Sequence, residues 1–306
     1  MNLPDFKNII DAHERIKPFI VHTPVVSNTL IDRMFNSKFF FKCENEQKVR
    51  AFKFRGATNA VQNLSENEAL NGVATHSSGN HAAALALAAK TRNIPAYIVM
   101  PSNAPQIKVD NVKSFGGIIT FCEPTLQARE DGLQKVVAET GATFIHPYNN
   151  FNVICGQGTA CLELIEEVGQ LDVILAPVGG GGLLSGTSIS AKHLLPDVQV
   201  IGAEPANVDD ACRSLKAGKI IPVENTNTVA DGLKTSLGTL TFAIIQKNVN
   251  EIITASEESI IAAMDILHKA GIMAEPSSAV PLAVIMENKS KFVGKRVGII
   301  ISGGNI

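Results

Sequence analysis

Apolar positions recur along this chain with two periods, and the period switches many times. Residues 5 to 20 place their apolar side chains on one face of a helix that ends near Pro18. The residue before Pro24, in His22-Thr23-Pro24-Val25, must be extended. Lys38-Phe39-Phe40-Phe41-Lys42-Cys43 is a continuous apolar run with charged ends, the pattern of a buried strand. A helix is predicted from Lys53 to about Asn63. From Gly72 the alternation becomes regular. Strands are predicted at Gly72–His76, Ala96–Met100, Ile118–Phe121 and Thr143–Ile145. Helices separate them at Asn80–Lys90, Pro105–Ser114 and Thr125–Thr140. After Pro147 the same alternation resumes. It gives a helix over Gly156–Val168, a strand over Asp172–Pro177, a helix to Leu195 and a strand over Val198–Ala203. Helices over Glu257–Ala270 and Ser278–Asn288 and a last strand over Arg296–Ile301 complete it.

Strands alternating with helices imply parallel βαβ units, an α/β fold of doubly wound sheets. A chain of 306 residues exceeds one simple core and suits two lobes. The self-contained alternation between Gly72 and Ile145 marks a smaller lobe, residues 68–148, inserted into a larger one made of 1–67 and 149–306. The chain ends shortly after its last strand, so no C-terminal regulatory domain is expected.

Composition narrows the class without naming it. Hydrophobic residues make up 45% and charged residues 18%, with a formal net charge of -2, an ordinary soluble profile. That balance carries no basic footprint for nucleic acid or for an anionic membrane. No apolar run is long enough to span a bilayer, and the N-terminus lacks the basic-then-apolar plan of a signal peptide. The five cysteines (Cys43, Cys122, Cys155, Cys161 and Cys212) are an odd number without Cys-x-x-Cys spacing. They read as buried thiols of a cytoplasmic protein rather than disulfides or a zinc site.

Four stretches carry candidate chemistry. Lys53 stands between Phe52 and Phe54, in Ala51-Phe52-Lys53-Phe54-Arg55-Gly56-Ala57. Desolvation beside aromatics lowers an amine pKa and frees it as nucleophile or base. A lysine so placed is more often a solvated amine on an apolar stem. Gly179-Gly180-Gly181-Gly182-Leu183 joins a strand to a helix. Such a run lets several N–H groups converge at a helix N-terminus, an anion cradle most natural for phosphate. It lacks the Lys-Ser or Lys-Thr of a P-loop and the spacing of a dinucleotide fingerprint. Ser77-Ser78-Gly79-Asn80-His81 is a second strand-to-helix turn. Ser77 or Ser78 can cap the helix there, and the amides near Gly79 and Asn80 can hold a carboxylate. Glu204 and Asp210, with an intervening carbonyl, can ligate a hard cation, although such acidic loops are commonly just solvated. His76, His81 and His146 are more often structural residues than catalytic ones.

Together these stretches resemble the serine racemase and serine/threonine dehydratase group of fold type II pyridoxal phosphate enzymes, the tryptophan synthase β-like fold. The resemblance covers nearly the whole chain. It starts at His22-Thr23-Pro24, Phe40-Phe41-Lys42-Cys43-Glu44, Phe52 to Ala57 and His76 to His81. It continues through Gly156-Gln157-Gly158-Thr159, Pro177 to Leu183 and Ala230-Asp231-Gly232, and ends at Glu275-Pro276-Ser277 and Ser302-Gly303-Gly304-Asn305. It implies that Lys53, beside Phe52, holds pyridoxal 5'-phosphate as a Schiff base in the larger lobe. Gly179, Gly180, Gly181 and Gly182, with Leu183 behind them, would hold the cofactor phosphate. Asn80 would hydrogen-bond the ring hydroxyl, and Ser302 would face the pyridine nitrogen. The turn Ser77, Ser78, Gly79, Asn80 and His81 would receive the substrate carboxylate, with Ser78 on the cofactor face opposite Lys53. Glu204, the Val208 carbonyl and Asp210 would bind a divalent cation, Mg²⁺, Mn²⁺ or Ca²⁺.

The sequence departs from the common pattern at Glu46, Arg50, Ala51 and Ala83. Glu46 and Arg50 flank the active lysine and bear on substrate preference. The expected activity is a dehydratase, an ammonia-lyase converting L-serine or L-threonine to a 2-oxo acid and ammonia with racemase side activity, in a homodimer. A dedicated serine racemase or a 3-hydroxyaspartate dehydratase is the alternative. A β-replacing enzyme of the cysteine synthase type is disfavoured by the Glu204–Asp210 loop, and a regulator without turnover by the joint presence of Lys53, Ser78 and Ser302.

Overall fold

The computed structural model describes residues 2–77 and 79–306. Ten strands form two sheets. The larger has the order β1-β2-β10-β7-β8-β9, where β1 is Val25–Val26, β2 Lys38–Cys43, β7 Val173–Pro177, β8 Gln199–Pro205, β9 Glu251–Ala255 and β10 Arg296–Ile301. The short β1 is antiparallel to β2; every other pairing is parallel. The smaller sheet is wholly parallel, with the order β5-β4-β3-β6, where β3 is Val73–His76, β4 Ala96–Pro101, β5 Ile118–Cys122 and β6 Thr143–Phe144.

Burial follows the pattern of the sequence. Central β7 is buried at every position, as expected of a parallel strand covered on both faces. Edge strand β5 alternates irregularly and leaves Ile118 and Phe121 exposed. The helix predicted from Gly156 begins five residues earlier, at Phe151, because Asn150 caps it by accepting the Val153 N–H. Strand β9 and the helix Thr239–Asn248 are absent from the sequence-based expectation. Glu251-Ile252-Ile253-Thr254-Ala255 is too short and too mixed to stand out, and its partner β8 lies about fifty residues earlier.

The helix Lys53–Gln62 is wedged between the two lobes. It contributes Phe54, Ala57, Ala60 and Val61 to the core under the smaller sheet, where they meet the alanine-rich helix Asn80–Thr91. Its other side lies against Phe151–Val168. The two backbones approach so closely that a Cβ on Gly156 would sit 2.6 Å from the Arg55 carbonyl oxygen.

A buried charge network anchors the same helix. Arg55 is fully buried and grips two carboxylates: Nε and a terminal nitrogen reach Glu44 at 2.7 and 2.8 Å, and both terminal nitrogens reach Glu163 at 2.7 Å. Lys42, also fully buried, lies 2.6 Å from Glu163. The charged end expected of β2 is thus inside the protein. Two cations against two anions leave the cluster neutral, the condition under which buried charge is tolerated.

Each sheet has a point where the chain reverses its direction of growth, and ligand crevices open beyond the strand ends there. In the smaller sheet β3 lies between β4 and β6, so the crevice opens past His76 and Phe144. In the larger sheet β7 lies between β10 and β8, so it opens past Pro177 and Ile301. These ends carry the serine-rich turn, the His146-Pro147-Tyr148 segment, the glycine run and the Ser302 turn.

Candidate active site

Lys53 is delivered by an unusual piece of backbone. Val49 and Arg50 both have positive φ, 55° and 53°. For a β-branched residue such as Val49 that is costly and needs surrounding structure to hold it. The C-terminal segment supplies that hold. Ala51 forms an isolated bridge with Gly303, the Phe52 N–H donates to the Ser302 carbonyl at 2.9 Å, and the Gly304 N–H donates to the Arg50 carbonyl at 2.9 Å. The residue before the lysine and Ser302 are therefore fixed to each other across 250 positions of sequence.

The Lys53 amine donates to the Pro147 carbonyl at 2.9 Å and lies 5.1 Å from the centre of the Phe52 ring. Burial pushes its pKa down to about 8, which raises the uncharged share near neutrality. Of the two flanking phenylalanines only Phe52 lines the amine. Phe54 points away, fully buried in the core under the smaller sheet.

Tyr148, next to Pro147, connects Lys53 to the glycine run. A Cβ on Gly180 would lie 2.4 Å from the Tyr148 ring, so that position must be glycine for the ring to seat. Gly181 has φ of 87°, and Gly182 opens the helix Gly182–Leu194. The Gly180 carbonyl is tied back by the Thr241 hydroxyl at 2.8 Å. All four glycines are buried, yet none of their N–H groups donates to an acceptor among the described residues. Buried backbone donors are nearly always paired, so an unpaired set at a helix N-terminus fits an anion such as a phosphate.

The second turn is also open. The helix Asn80–Thr91 starts after Gly79 with no side-chain cap, and Ser77 Oγ instead accepts the Gly79 N–H at 3.3 Å. The cap expected from Ser77 is therefore not made. Ser78 lies outside the described residues. The His81 side chain is buried, with Nε2 3.3 Å from the Ile145 carbonyl, so this imidazole does not face outward. Burial drives the His81 pKa well below its usual value and His146 down to about 4, with the Lys53 charge adding to both. His146 Nδ1 accepts the N–H groups of Tyr148 and Asn149 at 3.3 and 3.0 Å, and its ring meets Tyr148 edge-on. These neutral imidazoles shape the Pro147–Tyr148 segment.

Asn80 is held at both ends. Its Nδ2 donates to the two oxygens of Glu275 at 3.1 and 3.3 Å, and its Oδ1 accepts from Asn305 Nδ2 at 2.9 Å. Ser302 is buried at the end of β10, with Oγ 2.9 Å from Ser278 Oγ. Lys53, Asn80, Ser302 and the glycine run thus converge from four distant segments. Tyr148, Glu275, Ser278 and Asn305 complete the site without any role having been assigned to them from sequence. Their one signal was position, within or next to the motifs Glu275-Pro276-Ser277 and Ser302 to Asn305 and in the turn after the last small-lobe strand.

Glu204 and Asp210 are both 1% exposed, at the end of β8 and the start of the helix Asp210–Ala217. Both Glu204 oxygens accept backbone N–H groups, from Ala211 at 2.8 Å and Cys212 at 2.9 Å. Neither Asp210 oxygen has a hydrogen-bond partner among the described residues. Burial pushes the two carboxyls up to about 8 and about 7. No group of three or more His, Cys, Asp or Glu side chains suited to a metal occurs among the described residues. This pair, with the buried Val208 beside it, is a smaller oxygen set. The orphaned Asp210 carboxylate fits a hard cation.

The thiols are chemically quiet. Burial pushes Cys43 and Cys155 up to about 12, and all five cysteines are free. No helix among the described residues is long and apolar enough to cross a membrane.

Comparison with known proteins agrees with this fold. The chain is 51% identical to a β-hydroxyaspartate dehydratase of Paracoccus denitrificans, over 100% of this chain and 98% of that one. It is 47% identical to a serine racemase of Oryza sativa, over 99% of this chain and 91% of that one. The crystal structure of serine racemase from Dictyostelium discoideum superposes with a TM-score of 0.94 at 48% identity, covering 98% of each chain. These relatives share the fold type II architecture of two parallel-sheet lobes. The profile of the family described as "Pyridoxal-phosphate dependent enzyme" matches residues 16–303, and the chain belongs to that family.

Proposed function

We propose that this protein is an ammonia-lyase that converts a 3-hydroxy amino acid to a 2-oxo acid and ammonia, the water lost in elimination being regained on hydrolysis, with 3-hydroxyaspartate as the preferred substrate. The observation that carries this is the 51% identity to a β-hydroxyaspartate dehydratase across the whole chain. The expectation of L-serine or L-threonine as main substrate gives way to it. A yeast L-threo-3-hydroxyaspartate ammonia-lyase, 42% identical, supports the same choice.

Pyridoxal phosphate, when bound, supplies the electron sink that lets the Cα proton of an amino acid leave. The unpaired N–H groups of Gly179 to Gly182 would hold its phosphate, and Leu183 continues the helix behind them. Lys53 would bind it through the amine and, once displaced by substrate, take the Cα proton as general base. Its lowered pKa suits that task. Asn80 would donate to the ring hydroxyl. Ser302 would meet the pyridine nitrogen with a neutral hydroxyl, which cannot hold a positive pyridinium as a carboxylate would. Charge then stays near Cα, and prompt loss of the 3-hydroxyl is favoured over slower chemistry. The open turn Ser77 to His81 would receive the substrate carboxylate on its N–H groups. Glu204, the Val208 carbonyl and Asp210 would bind a divalent cation away from the reacting atoms. We take the chain to divide into a smaller lobe, residues 68–148, and a larger one of 1–67 and 149–306, and the protein to be a homodimer.

Serine racemase is the second reading, favoured by the 47% identical relative. Racemisation needs a proton acceptor on one face of the planar carbon and a donor on the other; elimination needs a base on one face only. Lys53 serves one face, and Ser78 would serve the other. Initial rates on 3-hydroxyaspartate, L-serine, L-threonine and D-serine, with enantiomers resolved, separate the readings. The highest kcat/KM should be on 3-hydroxyaspartate, giving a 2-oxo acid and ammonia. Ser78→Ala should remove L-to-D interconversion while leaving much of the elimination. D-serine as the main product from L-serine would replace the first reading with the second.

A further inference from the structure

The contacts of Asn80 reach beyond Asn80 itself. A carboxylate can only accept hydrogen bonds, whereas the Asn305 amide nitrogen can only donate. Glu275 therefore fixes which end of the Asn80 amide is nitrogen, and Asn305 fixes which end is oxygen. The two clamps are themselves joined, since the Asn305 backbone N–H donates to Glu275 Oε2 at 3.1 Å. Glu275 is buried, and its own backbone N–H is tied to the Gly303 carbonyl at 3.0 Å, beside Ser302. The two oxygens of one carboxylate subtend a far smaller angle at Asn80 Nδ2 than its two N–H bonds do, so a single hydrogen serves both contacts to Glu275. The other has no acceptor among the described residues.

We propose that Glu275 is a positioning residue: with Asn305 it locks the Asn80 carboxamide so that a single N–H is presented to the cofactor ring oxygen. Without the lock, that amide could turn over and present a carbonyl, which would repel an anionic ring oxygen. The clamp ties the first turn of the Asn80 helix in the smaller lobe to the segment that holds Ser302 in the larger one. The same three side chains therefore set the spacing of two polar contacts to the ring. This inference rests on Asn80 meeting the ring hydroxyl, as proposed above.

A double-mutant cycle tests it on the holoenzyme. Wild type, Asn80→Ala, Glu275→Ala and the double variant are dialysed against graded pyridoxal phosphate, and cofactor affinity and the pH midpoint of cofactor absorbance are recorded. Asn80→Ala and Glu275→Ala should each weaken affinity by about tenfold, the scale of one lost oriented hydrogen bond. Each should also move the absorbance midpoint. The double variant should be no weaker than Asn80→Ala alone, because Glu275 acts through Asn80. Glu275→Gln places an N–H donor against another donor, so it should reproduce part of the loss with the thermal unfolding temperature little changed. Multiplying effects in the double variant, or lowered stability with affinity and midpoint intact, would overturn the proposal and leave Glu275 as a tie for the C-terminal segment. No effect of Asn80→Ala would instead remove the reading of Asn80 on which it stands.

Discussion

At the scale of the residue, burial shifts the titration of the groups on which the proposed chemistry turns. Lys53 is the first. Its amine, lowered to about 8, is the site's nucleophile in our reading. Lys53→Ala should abolish the visible absorbance of the bound cofactor and reduce turnover to background while leaving the far-ultraviolet dichroism unchanged. Retained absorbance characteristic of a lysine adduct would point to a different lysine. Glu204 and Asp210 are the second case. Both folded pKa values, about 8 and about 7, lie above the ordinary 4.5 and 3.8. Between about pH 4 and about pH 8 the native chain holds protons that the unfolded chain has lost, so this pair lowers stability as pH rises through that window. A divalent cation favours the ionised pair and should reverse the trend. In chelator, the melting temperature of wild type should fall from about pH 5 to about pH 8 relative to a Glu204→Gln/Asp210→Asn variant. Adding Mg²⁺, Mn²⁺ or Ca²⁺ should restore it at the higher pH and do little at the lower. An identical pH profile in wild type and variant would show that the loop binds no cation and carries no trapped protons.

At the scale of the element, Lys53 is placed by the helix it opens, and that helix is held by charge. Arg55 lies two residues on and is locked between Glu44 on the turn after β2 and Glu163 on Phe151–Val168. Burial alone would raise the Glu163 pKa, but Arg55 and Lys42 together hold it below the usual carboxylate range. Glu163→Gln would leave the buried network with an uncompensated positive charge. Breaking one partner from such a cluster costs about 3–5 kcal/mol, which should appear as a lower denaturant midpoint with an unchanged slope. A loss under about 1 kcal/mol would mean that water reaches the cluster and screens it.

At the scale of the whole molecule, ion pairs link segments that flank the two sheets. Lys108, on the helix Gln106–Ser114 beside the smaller sheet, meets Asp231 on the turn before Leu233 at 2.5 Å, and Lys234 approaches the same carboxylate at 3.6 Å. Both Lys108 and Asp231 are substantially exposed, so the pair contributes little to folding, about 0–1 kcal/mol. Both charges lie near enough to Glu275 to act on its carboxyl, and we expect the pair to help hold the crevice closed. Lys108→Ala should leave the melting temperature nearly unchanged while raising KM by about threefold, the effect of losing under 1 kcal/mol of closure. Added salt should raise the wild-type KM toward the variant's. Unchanged KM in the variant would show that closure does not depend on this pair.

The sequence by itself determined what depends on neighbours a few positions apart. The α/β alternation, the buried run of β7, the glycine run between strand and helix and the lysine at a helix start all follow from periodicity, glycine freedom and helix ends. Tertiary structure decided what depends on residues brought together from far apart. Helix Phe151–Val168 starts where Asn150 caps it, and β9 exists because β8 offers an edge; neither is fixed by local pattern. Phe54 turned out to face the core rather than the amine, because the helix phase relative to the smaller sheet is set by packing. Lys42 is buried because Glu163, over 120 positions later, neutralises it. Glu275 and Asn305 were visible only as letters in a motif, since an amide can be clamped only when donor and acceptor arrive from separate segments. Local propensity specifies elements, whereas a polar site needs several long-range partners at hydrogen-bond distance, and only the packed chain fixes those distances.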